Sequence, residues 1–158
     1  MIKTICMCVC YLHSIGIYHR SLKPECIFIN DSQEIKIGGF EISVFLPPNG
    51  SIKNFTGSVA YSPPEMFEGV ALTKEADIWQ LGLLFYFIIC GRLPFRGNST
   101  EELVHQIMYN EVGFNELEWV DISDDPKSMI KALLSKKADE RPTINEILAC
   151  SWIRKQPS

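Results

Sequence analysis

The residues with chemically useful side chains gather in one short polar stretch at residues 19–26. This stretch places a hydroxyl at Ser21, an ammonium at Lys23 and a thiol at Cys26 within a few positions of one another. A neutral hydroxyl cannot accept a proton near pH 7, and a thiol is a soft metal ligand. Ser21 therefore does not supply a general base, and Cys26 does not supply a hard oxygen ligand.

The 6 cysteines do not form a recognisable metal site. Cys6, Cys8 and Cys10 crowd the start of the chain, but no two cysteines form a Cys-x-x-Cys pair. On a helix Cys6 and Cys10 share a face while Cys8 points elsewhere, so the three are poorly arranged around one metal. The others are Cys26, Cys90 and Cys150. We interpret all of them as small apolar residues of a reducing compartment, and we expect no metal.

The elements that must position the polar stretch begin with a helix and a hairpin. Residues 2–15 are apolar nearly throughout and predict a buried helix ended by Gly16. Residues 27–29 and 34–37 predict two short strands joined by an Asn-Asp-Ser turn. Residues 42–64 are rich in proline and glycine and predict a long irregular segment, of the kind that is often functional.

Helices dominate the rest of the chain. Residues 75–90 are too apolar for a surface position and predict a central helix closed by Gly91. A Ser-x-x-Glu capping box begins a helix over residues 99–110, and a Thr-x-x-Glu box begins the last helix, over residues 143–154. Between them, Asp125 is predicted to cap a further helix whose first turn contains a proline. The predicted fold class is mainly α with a short β-hairpin.

Length and composition place the chain among ordinary globular proteins. It has 158 residues, of which 46% are hydrophobic and 22% are charged, and its formal net charge is -4. This charge disfavours nucleic acid and membrane surfaces as partners. The longest apolar run covers residues 81–90, whereas a membrane-spanning helix needs about 20. With no recognisable signal peptide, the expected location is the cytoplasm, with the nucleus as the alternative.

The motifs follow the order found in protein kinases. Residues 19–26 resemble the catalytic loop H-R-D-L-x-x-x-N, and residues 39–41 stand where kinases have D-F-G. Residues 57–65 resemble the end of an activation segment with its A-P-E motif. The later matching motifs are residues 77–82, 91–95 and 141–143. The chain resembles the C-terminal lobe of a eukaryotic-type Ser/Thr protein kinase. Its sequence as a whole is similar to the calcium/calmodulin-dependent kinase-like group.

The resemblance implies one partial kinase domain over residues 1–158. Its parts are a catalytic-loop region at residues 17–29, a degenerate D-F-G at 39–41, an activation segment at 42–65 and a helical subdomain at 66–156. The chain begins within what resembles the helix before the catalytic loop. The N-terminal lobe, with its Gly-rich loop and V-A-I-K lysine, is therefore expected to be absent from this chain.

Three departures from the family pattern fall on the positions that perform its chemistry. Ser21 replaces the catalytic-loop Asp, Cys26 replaces the Asn, and Gly39 replaces the Asp of D-F-G. Phosphoryl transfer uses these groups to orient the substrate hydroxyl and to hold Mg²⁺. The retained Lys23 could contact a phosphate or be a surface charge. The resemblance thus implies a degenerate pseudokinase with no bound cofactor; ATP and Mg²⁺ are expected only if a native N-lobe exists and a neighbour such as Glu41 rescues the site.

The residues that hold the family's lobe together are kept. His19, Phe40 and Asp77 match positions that join the catalytic loop, the D-F-G motif and the central helix. Glu65 and Arg141 match a buried salt bridge. Removing one partner of such a bridge typically costs about 3–5 kcal/mol, because the other charge stays buried alone.

Three further residues remain to be interpreted. Arg20 and Phe28 each have two interpretations, and Trp119 has no family counterpart. Arg20 could pair with a phosphorylated loop residue such as Thr56 or Ser51, or be a structural or solvated arginine. Phe28 would lie under adenine if the resemblance holds, with an ordinary core aromatic as the alternative. Trp119 matches no family position and is interpreted as a loop anchor.

Three functions follow from these observations. The first is a catalytically inactive, kinase-like module that binds or regulates a protein partner through the groove of the lobe or the helix beginning at Ser99. The second is a residual ATP-dependent Ser/Thr kinase on a longer native chain. The third is a non-functional truncated gene product, which would expose an apolar face and fold poorly.

Overall fold

The computed structural model describes residues 1–47, 50–53 and 57–155. Those residues form a mainly helical fold with two small strand pairs, in agreement with the predicted class. The helices are α1 Ile2–Ser14, α2 Pro64–Phe67, α3 Glu75–Cys90, α4 Thr100–Tyr109, α5 Asp124–Leu133, α6 Ile144–Ala149 and α7 Ser151–Arg154. The strands are β1 Ile17–Tyr18, β2 Ile27–Ile29, β3 Ile35–Ile37 and β4 Val44–Phe45. None of the helices in these ranges is long and apolar enough to cross a membrane.

Helix α3 forms the centre of the core, and its predicted bounds are confirmed. Most of its 16 residues are buried, and Gly91 ends it in the left-handed conformation at φ 73°. Helix α5 packs closely against it at Gly82. A Cβ at that glycine would lie 2.9 Å from atoms of Leu133 and Leu134, so the absence of a side chain permits the contact. This tight packing makes α3 and α5 a rigid base for the rest of the fold.

Helix α1 is only half buried, which corrects the prediction of a fully buried helix. Its inner face presents Ile5 and Val9 to the core, one turn apart. On the outer face Met7 is 54% exposed and Tyr11 is 64% exposed. Apolar side chains on both faces suggested burial all round, but no element among the described residues covers this outer face.

The predicted hairpin forms, and a second strand pair accompanies it. Strands β2 and β3 pair antiparallel with Phe28 opposite Lys36, and the second strand starts one residue later than predicted. Strands β1 and β4 also pair antiparallel, with Tyr18 opposite Val44. Two-residue strands show no alternating pattern, so this pair was not predicted and falls partly within the segment expected to be irregular. This second pair holds the chain before and after the polar stretch at residues 19–26.

Two helix starts differ from the sequence interpretation. The Ser99 hydroxyl accepts from the backbone N–H of Glu102, but the Glu102 carboxylate accepts from Asn98 instead of completing the capping box on Ser99. Helix α5 begins after Ser123, so Asp125 lies inside the first turn and is not the N-cap. The start of α4 stays where it was predicted, and α5 begins two positions earlier than predicted.

The carboxyl-terminal helix is divided in two. The Thr143 capping box is confirmed, with both reciprocal hydrogen bonds present. Cys150 then adopts an extended conformation at ψ 151°, which ends α6 and begins α7. Its sulfur accepts from the backbone N–H of Ile153, so it acts as the cap of the second piece. The prediction of one continuous helix to Arg154 is therefore wrong.

Trp119 anchors the loop between α4 and α5, as predicted. Its side chain is fully buried. Its ring lies 4.9 Å from that of Tyr86 on α3 and 4.8 Å from that of Phe114, measured between centroids. These contacts tie the loop to the central helix.

Candidate functional site

The polar loop at residues 19–22 is shaped by a buried carboxylate at the start of α3. Asp77 accepts hydrogen bonds from the backbone N–H groups of His19 and Arg20, at 2.9 and 2.7 Å. Its Oδ2 atom also lies 2.8 Å from Nε2 of His13, which comes from the end of α1. The polar loop and α1 therefore converge on one carboxylate of α3. Asp77 is fully buried, so these hydrogen bonds lie in a low-dielectric site.

Gln80, one turn further along α3, completes the support of this loop. Its Oε1 accepts from the backbone N–H of Leu22 at 2.8 Å, and its Nε2 donates to the carbonyl of Arg20 at 2.9 Å. Arg20 has φ 67°, a conformation rare for a residue with a side chain, and these bonds hold it there. Sequence reasoning missed Gln80, although a polar residue one turn after Asp77 on an otherwise apolar helix was the available signal.

His19 links the loop to the segment after β3. Its Nδ1 accepts from the backbone N–H of Ser21 at 3.2 Å, so the ring proton lies on Nε2, which bonds the carbonyl of Gly38 at 2.8 Å. The Phe40 ring lies 4.8 Å from the His19 ring. Phe40 is 42% exposed, so the unit formed by His19, Phe40 and Asp77 is open on one side.

Cys26 and Gly39 are matched to each other in shape. The Cys26 thiol donates to the carbonyl of Ser21 at 3.1 Å, and burial raises its pKa, which keeps it protonated near pH 7. A Cβ built on Gly39 would lie 2.3 Å from the Cys26 sulfur, far inside van der Waals contact. Gly39 also has φ 82°, which favours glycine. The sulfur of Cys26 therefore fills the space that any side chain at residue 39 would need.

The donor atoms at this point do not fit Mg²⁺. That ion requires near-octahedral coordination by hard oxygen ligands, whereas Cys26 offers a protonated sulfur and Gly39 offers no side chain. The nearby carboxylate of Glu41 comes to 3.8 Å from the position of the absent Cβ. Over residues 1–47, 50–53 and 57–155, no three His, Cys, Asp or Glu side chains converge in a way that could hold a metal.

A cavity of about 270 Å³ lies between the polar loop and the segment that precedes α2. Its charged and hydroxyl-bearing lining residues are Arg20, Ser21, Lys23, Glu41, Ser58 and Tyr61. The Arg20 guanidinium is largely buried and donates to the carbonyl of Ile42 at 2.9 Å. The structure thus brings the predicted residues Arg20, Ser21 and Lys23 around one space, which the sequence did not reveal.

Glu65 and Arg141 form a buried, bidentate ion pair. The two guanidinium nitrogens lie 2.8 and 2.6 Å from the two carboxylate oxygens. Arg141 also donates to the backbone carbonyls of Ser135 and Glu75, both at 2.9 Å, and lies over the Trp79 ring. The pair joins the start of α2 to the start of α3 and to the segment before α6, with its donors satisfied.

The remaining predicted site residues are placed as follows. Phe28 is 56% exposed, and its ring lies over Gly38, so the alternative of a core aromatic is wrong. A contact with adenine stays a prediction. Ser51 is exposed, and Thr56 lies outside the described residues, so pairing of Arg20 with a phosphorylated loop residue also stays a prediction.

Comparison with known proteins identifies the family. Residues 1–153 match the protein kinase domain. A probable myosin light chain kinase from Dictyostelium discoideum is 33% identical over 156 residues, which cover 97% of this chain and 45% of that protein. Calcium-dependent protein kinase 25 from Arabidopsis thaliana is 33% identical over 145 residues, covering 90% of this chain and 28% of that protein.

A third relative is an Aurora kinase from Dictyostelium discoideum, 34% identical over 145 residues, which cover 92% of this chain and 36% of that protein. The chain belongs to the protein kinase family. The predicted resemblance to eukaryotic-type Ser/Thr kinases, including calcium-dependent ones, is confirmed. The chain spans less than half the length of these curated relatives.

Proposed function

We propose that this chain is a pseudokinase of the Ser/Thr type, a kinase-like module that binds or regulates a protein partner in signalling and does not transfer phosphate. The observation that carries the proposal is the position of the Cys26 sulfur, 2.3 Å from where a side chain on Gly39 would begin. Cys26 and Gly39 stand at the two positions where kinases have metal ligands, and here they pack against each other.

The missing base adds to the missing metal site. Phosphoryl transfer relies on positioning and on electrostatic stabilisation of the transferred group, and both depend on the bound ions. Ser21 has no carboxylate to accept or orient the proton of a substrate hydroxyl, and losing a general base typically costs about 10²- to 10⁴-fold. Because groups that act as a unit are not independent, restoring one of them is expected to restore nothing.

The scaffold around these positions supports a retained structural role. Asp77, Gln80 and the Glu65–Arg141 pair satisfy the buried polar groups that shape the lobe. A chain whose loop geometry is fixed by this many buried hydrogen bonds can present a defined surface to another protein. We propose two surfaces for a protein partner. One is the groove of the lobe beside residues 19–22, and the other is α4, the helix beginning at Ser99.

The proposal has consequences for ligands and location. We propose that no metal or nucleotide cofactor is required, and that neither nucleic acid nor membrane is a partner, given the net charge of -4. The proposed compartment is the cytoplasm, with the nucleus as the alternative. ATP and Mg²⁺ enter only if the native chain contains an N-lobe and another carboxylate, such as Glu41, takes the place of the missing ligands.

A residual Ser/Thr kinase on a longer native chain is the second candidate. Two observations favour it. Lys23 is retained and lines the cavity, and this chain covers only part of the length of its relatives. The third candidate, a non-functional truncated product, is tested by whether the chain folds and accumulates in cells. Proteolytic sensitivity of the whole chain and a lack of cooperative unfolding would favour it.

Phosphate transfer by the native chain and by its Ser21→Asp variant tests the proposal. With ATP and either Mg²⁺ or Mn²⁺, neither protein should phosphorylate generic protein substrates above its heat-denatured sample. The variant returns the carboxylate but leaves Cys26 and Gly39 unchanged, so the metal ligands stay missing. Activity gained by this single substitution would show that a working metal site exists and would overturn the proposal.

A further inference from the structure

Gln80 places a buried amide in the apolar part of the central helix. It lies on α3 one turn after Asp77, it is almost fully buried, and every other residue from Ile78 to Phe85 is apolar. A side-chain amide carries one carbonyl oxygen and two N–H donors, and burying it is costly unless these groups are paired. The partners of this amide therefore indicate what Gln80 does.

The amide of Gln80 bonds two segments that are distant in the chain. Its Oε1 accepts from the backbone N–H of Leu22 at 2.8 Å and its Nε2 donates to the carbonyl of Arg20 at 2.9 Å, both in the polar loop. The same Nε2 donates to the carbonyl of Tyr61 at 3.4 Å, in the segment that precedes α2. These partners also fix which end of the amide is oxygen, because a backbone N–H needs an acceptor and two carbonyls need donors. One side chain thus ties the two segments together.

The segment that precedes α2 is folded so that one bond can position all of it. Residues Val59–Tyr61 form a single 3₁₀ turn, in which the N–H of Tyr61 bonds the carbonyl of Ser58 at 3.0 Å. Ser62 is fully buried, and its hydroxyl donates to the same carbonyl of Ser58 at 3.0 Å. Because the turn is closed on itself, the bond from Gln80 to the Tyr61 carbonyl positions residues 58–62 as a unit.

The bond from Gln80 to Tyr61 involves no charged group. Kinase activation loops are ordered by phosphorylation in many cases, through new pairs between arginine and phosphate. An amide and a backbone carbonyl are both neutral, so their hydrogen bond forms whether or not the chain carries phosphate. Gln80 and Tyr61 both line the cavity between the polar loop and the segment that precedes α2, so this bond also sets the distance between the walls of the cavity.

From these contacts we infer that Gln80 is an internal latch, which holds residues 58–62 against the polar loop in the chain without phosphate. The two walls of the cavity then open and close together, and the groove beside residues 19–22 is formed before any partner arrives. The inference concerns the shape of this groove and not its chemistry, so it goes beyond the proposed function and does not depend on it.

Hydrogen exchange at single backbone amides tests the latch. The full native chain is treated with phosphatase, its intact mass confirms that no phosphate remains, and exchange is followed by NMR at Leu22, Tyr61 and Ser62. The protection of these three amides should agree to within about tenfold, because one opening exposes them all. Free exchange at Tyr61 and Ser62 beside a protected Leu22 would overturn the inference.

Gln80→Glu is the sharpest variant, because it keeps the shape of the side chain and the oxygen that serves Leu22. It sets a second oxygen against the carbonyls of Arg20 and Tyr61, and even a protonated carboxyl has one donor for the two of them. The amides of Leu22, Tyr61 and Ser62 should exchange about tenfold faster relative to a buried amide of α5, which reports the stability of the whole fold. Faster exchange at Leu22 alone, or at none of the three, would overturn the inference.

Gln33→Glu is the matched control, because it makes the same change at an exposed glutamine between β2 and β3, outside the lining of the cavity. It should leave all three amides unchanged. Should Gln80→Glu fail to fold, the comparison of amides within the native chain decides.

The latch and the proposed function fail in different assays. Loss of the shared protection would overturn the latch and leave the proposed function standing. Phosphate transfer above the heat-denatured sample would overturn the proposed function and leave the latch.

Discussion

Two pairs of residues, distant in the chain and in contact in the fold, are matched by different forces. Glu65 and Arg141 are matched by charge, in a bidentate pair with its remaining donors satisfied. Cys26 and Gly39 are matched by shape, because one side chain fills the space that the other lacks. The comparison teaches that each pair behaves as a unit, so a change in one member is costly while its partner stays. The first pair links three segments of the lobe, and the second leaves no room for a side chain at residue 39.

The charge-matched pair should break most severely. Arg141→Met would leave the Glu65 carboxylate buried without its partner, and we expect a loss of about 3–5 kcal/mol in the free energy of unfolding. Urea denaturation measures the loss. Lys137→Gln is the control, because it removes an exposed ion pair to Glu140 and should have a far smaller effect. Similar losses in the two variants would show that burial of the Glu65–Arg141 pair contributes nothing special.

The shape-matched pair should break next. Gly39→Ala should cost about 1–3 kcal/mol more than Gly69→Ala, since overpacking adds to the backbone strain. Both glycines have positive φ, 82° and 71°, but a Cβ at Gly69 meets nothing within 4 Å. The two variants are compared by urea denaturation. Equal losses would contradict the claim that Cys26 occupies the space of residue 39.

A double-mutant cycle sharpens the same comparison. In a Cys26→Ala background the sulfur is gone, and the nearest remaining atom to the new Cβ is the Cβ of residue 26, at 3.2 Å. Gly39→Ala should then cost less than it does in the native chain, which gives a coupling free energy of about 0.5–3 kcal/mol. Additive effects of the two substitutions would show that the residues are independent.

A smaller, pH-dependent effect is expected beside the ion pair. Lys136 donates to the carbonyl of Ile107 and lies over the Phe95 ring, and burial, aided by the charge of Arg141, lowers its pKa from 10.5 to about 8. Between those values the unfolded chain binds a proton that the folded chain does not, so the stability contributed by Lys136 rises with pH.

The test is the difference in unfolding free energy between the native chain and Lys136→Met, measured from pH 7 to about 10.5. The difference should be constant below the folded pKa of about 8 and then move in favour of the native chain. Other titrating groups cancel in the comparison. A difference that stays flat or moves the other way would show that Lys136 keeps its ordinary pKa in the fold.

The sequence predicted those parts of the fold that depend on local signals. Apolar residues over 75–90 followed by Gly91 defined the central helix to the residue, and the capping box at Thr143 placed the start of α6. Local signals failed where contacts between distant residues decide the structure. The pairing of β1 with β4 and the extended conformation of Cys150 carry no periodic pattern.

The site was predictable in its residue types and not in its packing. The replacements at Ser21, Cys26 and Gly39 could be read from the motif order. That Cys26 fills the space of residue 39 required coordinates, because residues 13 positions apart meet there through the hairpin. The exposure of Phe28 and Phe40 was also hidden, since an aromatic residue has the same sequence signature on either face of a short strand or loop.

The most direct test of the central claim is phosphate transfer from ATP by the full native chain, purified with any segments that flank residues 1–158. Incorporation of labelled phosphate into protein is measured with Mg²⁺ and with Mn²⁺, beside a heat-denatured sample. We expect the two samples to be indistinguishable, because under the proposed function Ser21, Cys26 and Gly39 provide neither a base nor metal ligands. Reproducible, ATP-dependent incorporation above the denatured sample would contradict the claim.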